Sequence, residues 1–127
     1  MASVAELART LAGIPFKHRC RNPEIGLDCA GVVIEAYRLR GFELHDFDIY
    51  GVQPNPDDLE IMLDFNGFGT VNDIRDGDVL QLFIEDLPQH VGVVDGDGFW
   101  HVEHGGTVCR ARIDDWRYQI HKVWRLF

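Results

Sequence analysis

Apolar residues fall at helical spacing through the first half of this chain and in short β-branched or aromatic runs through the second. Val4, Leu7, Ala8 and Leu11 share one face of a helix over residues 3–12, and Gly13 with Pro15 stops it. Residues 14–27 carry Pro15, Pro23 and Gly26 without a period and read as a loop arriving at Asp28, which suits an N-cap. The helix that follows begins at Cys29. It sets Cys29, Val32, Val33, Ala36 and Tyr37 on one stripe, has Arg38 and Arg40 in its last turn and ends at Gly41. Another helix starts with Pro56 after Asn55, carries Asp57 and Asp58 at its positive end, buries Leu59, Met62 and Leu63, and stops at Asn66-Gly67. Residues 42–54, between these helices, read as an irregular loop and a candidate lid.

Strands are expected over residues 78–84, 90–95, 99–104, 107–113 and 120–127, each bounded by turn residues. Helices first and strands afterwards specify an α+β domain whose helices pack on a mostly antiparallel sheet of five to six strands. At 127 residues the chain has room for one core, and a single domain over residues 1–127 is expected.

Charge narrows the choice of partners. Acidic side chains number 21 against 12 basic ones, and no basic stripe interrupts them, so nucleic acid is not an expected partner. No apolar run reaches membrane-spanning length, and the N-terminal residues lack the layout of a secretory signal; a chain that stays in the cytoplasm as synthesised is expected. Three cysteines, an odd number, favour reduced thiols over a disulfide framework.

One of those thiols stands where chemistry is possible. Cys29 opens a helix, so its sulfur faces unpaired backbone N–H groups and the positive end of the dipole, which favour a thiolate and can steady an oxyanion. A packing cysteine would suit mid-helix; one placed after Asp28 and before the small pair Ala30-Gly31 leaves a substrate room to approach. The six histidines supply candidate bases. In HVGVVDGDGFWHVEH the turn centres on Gly96-Asp97, which puts Val91, Val93, Trp100 and Val102 on one face and His90, Gly92, His101 and Glu103 on the other. His101 can then lean across Gly92 and orient His90 as base, with Glu103 a rival for that role; a solvated polar face holding two histidines by chance is the alternative. A tetrahedral metal site from Cys20, Cys29, His90 and His101 ranks below the thiol reading, because the cysteines lack close C-x-x-C pairing. No cofactor is expected.

These residues resemble the NlpC family of cell-wall cysteine peptidases, in particular the short members that accompany phage tails. Gly13-Ile14-Pro15-Phe16 with His18 precedes the nucleophile, and Asp28-Cys29-Ala30-Gly31-Val32-Val33 is similar to the family's D-C-S-G-L-V. Asp76-Gly77-Asp78-Val79-Leu80 is similar to P-G-D-L, His90-Val91-Gly92-Val93-Val94 to H-V-G-I-Y, and Phe99-Trp100-His101-Val102 to F-I-H-A. The resemblance implies a papain-like core, a Cys29–His90–His101 catalytic set, and a substrate cleft lined by His18, Asp28, Ala30 and Glu103. It also implies hydrolysis of peptidoglycan stem peptides, commonly between D-glutamate and diaminopimelate, with phage tail proteins as possible partners. Ala30 stands where the family has Ser, Arg75-Asp76 where it has Pro, and Val94 where it has Tyr; these departures bear on substrate choice more than on chemistry. Two other readings stay open: a tail assembly protein that retains the fold with little activity, and a thiol amidase or acyltransferase acting on something other than peptidoglycan.

Overall fold

Ser3 begins the first helix as the sequence requires. In a computed structural model describing residues 2–46 and 56–127, its hydroxyl accepts from the Glu6 N–H while Glu6 accepts from the Ser3 N–H, a reciprocal cap on α1 (Val4–Arg9). α2 (Cys29–Arg40) is capped by Asp28 and ends at Gly41, whose φ of 107° is open to glycine without strain. α3 spans Pro56–Phe65. Of the expected loop over 42–54, residues 42–46 are irregular as expected; 47–54, which the lid reading needs, lie outside the described residues.

The strands form one sheet: β1 (Phe68–Val71), β2 (Val79–Ile84), β3 (Leu87–Asp95), β4 (Gly98–His101), β5 (Cys109–Arg112) and β6 (Ile120–Leu126). Their order is β1-β6-β2-β3-β4-β5, with every pairing antiparallel. β1 and a 3-10 helix over Ile113–Gln119 are additions to the expected elements. β1 is four residues long and includes a glycine, and its partner β6 lies at the far end of the chain, so neither local propensity nor spacing marks it.

α2 is buried on every side through Tyr37, not along one stripe. Residues 14–27 cover its outer face: a Cβ on Gly31 would lie 2.7 Å from the Cys20 carbonyl oxygen, so only glycine admits that loop so close. The sheet is covered on both faces as well. Toward the helices, Val32, Val33, Val79, Val91, Val93 and Trp100 form the larger core. On the opposite face Leu80, Leu82, Val94 and Phe99 form a second one, closed by Ile113, Trp116 and Ile120. Burial on both faces accounts for the near-continuous apolar runs of β2 and β3, where a one-sided sheet would alternate.

Candidate active site

Cys29 owes its place to Asp28. The Asp28 carboxylate accepts the Gly31 N–H at 2.8 Å and the Arg19 N–H at 3.1 Å, and pairs with the Arg21 guanidinium at 2.7 Å. The first helical residue is thereby fixed with its sulfur against β3, where the backbone N–H groups of Val91 and Ala30 reach it. The thiol is 2% exposed. Burial above all, and the Asp28 charge next, push it up to about 12, against the smaller opposing pull of the two amides and Arg21. This corrects the expected ready thiolate: the helix N-terminus does favour the anion, but desolvation of a buried sulfur outweighs it. The resting group is a neutral thiol.

Val91 is also the neighbour of His90. The hairpin pairs Asp95 with Gly98, Val94 with Phe99 and Val93 with Trp100, so its turn is Gly96-Asp97, with Gly96 at a φ of 62°. Val91, Val93, Trp100 and Val102 accordingly join the core that holds Cys29. His90 and His101 lie on the other face, where Nε2 of His90 and Nδ1 of His101 are 2.8 Å apart. Among the described residues no hydrogen bond joins the Cys29 sulfur to the His90 ring directly; the Val91 amide is the link between them.

The two histidines do not occupy a solvated face. His90 is 1% and His101 4% exposed, enclosed by the rings of Trp116 and Phe99. Burial, with His101 close by, pulls His90 down to about 3, and burial pulls His101 down to about 4. Both are neutral imidazoles at pH 7. Gly92 serves the arrangement differently from expectation, because the space its missing side chain leaves is taken by the Phe99 ring. A Cβ there would sit 2.6 Å from Phe99 Cδ2 and 3.0 Å from the Trp100 carbonyl oxygen. Gly92→Ala is therefore expected to destabilise the protein by about 1–3 kcal/mol through overpacking, read as a lower urea midpoint with unchanged slope; an unshifted midpoint would show that the sheet yields there.

Glu103, the rival orienter, brings its half-exposed carboxylate to 4.0 Å from Nδ1 of His101. His18 is half-buried in the loop ahead of Asp28, and Ala30 is buried, offering its amide to the sulfur. His45, His104 and His121 rest against Phe65, Phe16 and Phe83, apart from the histidine pair. No group of three or more His, Cys, Asp or Glu among the described residues is arranged to hold a metal ion. Two neighbours of the pair escaped the sequence reading. Trp116 comes from the unexpected 3-10 helix, and Cys109, directly opposite His101 in the β4–β5 register, sets its sulfur 3.9 Å from His101 Nε2. A turn centred on Gly105 sets His101 opposite Cys109. With Glu103, Gly106, Thr107 and His101, these two line a cavity of about 360 Å³.

No family model and no curated protein matches the sequence. Solved structures do. The NlpC/p60 domain of the peptidoglycan hydrolase SagA aligns with a TM-score of 0.70 and 16% identity over 97% of this chain and 96% of its own. NlpC1 from Trichomonas vaginalis gives 0.71 and 21% over 96% of this chain, which spans only 43% of the NlpC1 chain. A chain of the type VI native effector–immunity complex Tae3–Tai3 from Ralstonia pickettii gives 0.59 and 18%, covering 98% of this chain and 97% of its own. A likeness of this extent at such low identity is a likeness of architecture, and by it the helices and six-stranded antiparallel sheet of this chain have the NlpC/p60 fold.

Proposed function

We propose that the chain is a cysteine peptidase or amidase acting on amide bonds of peptidoglycan stem peptides, with Cys29 as nucleophile, His90 as general base and His101 as its orienter. The observation that carries this reading is the buried 2.8 Å bond between His90 and His101, together with a helix-opening cysteine whose sulfur meets the Val91 amide, one residue along β3 from His90. The fold adds support, since the solved domain of SagA that shares it belongs to a peptidoglycan hydrolase.

The two imidazoles set each other's protons. If Nε2–H of His90 donates to Nδ1 of His101, the Nδ1 lone pair of His90 is left free to take a proton, whereas the reverse direction would leave His90 unable to act as base. Because the resting pair is a neutral thiol and a neutral imidazole, proton transfer accompanies attack: the S–H proton goes to His90 as the sulfur bonds to the carbonyl carbon and charge moves onto the oxygen. Backbone N–H groups at the start of α2 are the available oxyanion donors. The His90 imidazolium then protonates the departing amine as the C–N bond breaks, leaving a thioester. His90 next takes a proton from water, the hydroxide displaces the thiolate, and the thiol is restored.

The link between D-glutamate and diaminopimelate is the bond we propose is cut, and delivery on a phage tail is the route to the wall implied by the resemblance to short tail-associated members. Incubation with purified sacculi and with a synthetic L-alanyl-γ-D-glutamyl-diaminopimelate peptide, followed by mass spectrometry, is expected to release diaminopimelate. Intact peptide and sacculi after prolonged incubation would turn the reading toward a tail assembly protein. Cleavage of other amides alone would turn it toward a different amidase.

A further inference from the structure

Two opposite charges stand close to the Cys29 sulfur, and the mechanism above uses neither. Asp28 is 2% exposed and adjacent in the chain, so its carboxylate opposes the build-up of negative charge on the sulfur. Arg21 answers it from the loop that covers α2. Its Nη1 lies 2.7 Å from Asp28 Oδ1 and 3.3 Å from the Cys20 carbonyl oxygen, while Nε and Nη2 lie 2.6 and 3.2 Å from the two oxygens of Asp46. The side chain is 18% exposed. A guanidinium forked between two carboxylates in this way is held in one orientation, and so little solvent leaves its charge weakly screened.

We propose that Arg21 is a positioning residue for Cys29: it holds Asp28 in a buried ion pair that offsets part of the carboxylate's repulsion of a thiolate, while leaving that carboxylate on the Gly31 N–H that caps the nucleophile's helix. The assignment rests on the reading of Cys29 as nucleophile. Asp28 is needed as a cap yet carries a charge that opposes the chemistry one residue away; Arg21 eases that conflict. The directions of the local influences agree, Asp28 raising the thiol and Arg21 lowering it. Asp46 shares the Arg21 guanidinium from its other side, and His90, one residue from Val91 on β3, is neutral at pH 7.

The roles separate by substitution. Arg21→Met keeps an apolar stem but removes the cation, Asp28→Asn keeps an acceptor for Gly31 but removes the anion, and the double variant removes both charges. Arg21→Lys keeps the cation without the fork. The readout is the rate of Cys29 alkylation by iodoacetamide between pH 7 and 9.5, followed by peptide mass mapping, which needs no substrate. Since the thiol ionises far above this range, each rate rises with pH in proportion to the thiolate fraction, and the variants displace parallel lines.

Arg21→Met is expected to alkylate about threefold more slowly, about half a pKa unit's worth, and Asp28→Asn about tenfold faster, with the double variant between the wild type and Asp28→Asn and Arg21→Lys close to the wild type. A folded Arg21→Met that reacts as fast as the wild type or faster would overturn the assignment, as would a double variant as slow as Arg21→Met. Should Arg21→Met fail to fold because two carboxylates lose their partner, the other two variants decide: an Asp28→Asn rate no higher than the wild type's overturns the proposal, and an increase together with a near-normal Arg21→Lys supports it. A chain that shows this pattern but leaves stem peptides intact keeps the Arg21 assignment and loses the hydrolase reading. One that cleaves them without the pattern does the reverse.

Discussion

Cys29→Ala is expected to reduce stem-peptide hydrolysis by about a thousandfold or more, to the limit of detection, while melting within a few degrees of the wild type. The two halves of this expectation have separate causes. Activity disappears because no other thiol can take over: Cys20 and Cys109 are free but sit elsewhere, Cys109 at the far side of His101 from His90. Stability changes little because the substitution removes one sulfur atom from a buried position, a loss of about 1 kcal/mol, and leaves Asp28 on the Gly31 amide. Turnover by liquid chromatography and melting by circular dichroism test both halves together. Full activity in this variant would end the thiol mechanism, whereas lost activity with a collapsed melting temperature would show only that the protein had unfolded.

The second large effect is on stability in mild acid. His90 and His101 ionise at about 3 and 4 in the folded protein, below the 6.5 of a free imidazole. Between those values the unfolded chain binds protons that the folded one refuses, so stability is complete above pH 6.5 and falls as the pH drops toward 4. A pH of 5 lies about 1.5 units below the unfolded pKa of each histidine and above both folded ones, a loss of about 2 kcal/mol apiece. About 4 kcal/mol is a large part of the 5–15 kcal/mol typical of a domain. Asp73, Asp95 and Asp97, whose pKa values are held low by arginine partners, lose their contribution only below about 3.8, outside this window. Urea unfolding at pH 7 and pH 5 should therefore show the drop, and His90→Leu combined with His101→Phe should abolish most of it. A wild-type protein equally stable at both pH values would contradict the buried neutral pair.

How much of this was legible in the sequence depends on how far apart the cooperating residues lie. The Asp28 cap, the Cys29 helix and its Gly41 stop are written within one stretch, and the structure has all three. The 96–97 turn and the sharing of one face by His90 and His101 follow from two-residue alternation across a short hairpin, and they too were readable. What covers an element is a different matter. The loop over α2 is near in the chain but carries no period that says where it folds, and the second core beneath the sheet and the enclosure of both histidines by Trp116 join residues from separate elements. The ionisation of Cys29 was misjudged for that reason: helix position is local and visible, while burial is collective. β1 escapes a local reading because its strand partner among the described residues, β6, is more than fifty positions distant.

That pairing has a consequence during synthesis. β6 is the last strand made, yet it lies between β1 and β2 in the middle of one half of the sheet. Until residues 120–126 clear the ribosome, β2 has an open edge carrying Leu80 and Leu82, and Phe68 of β1 has no strand to join. Contacts of such long range close slowly, and an unpaired apolar edge in a nascent chain invites pairing with a neighbouring one. The sheet therefore cannot close until β6 has emerged, and the exposed edge of β2 is the price of placing a late strand between two early ones.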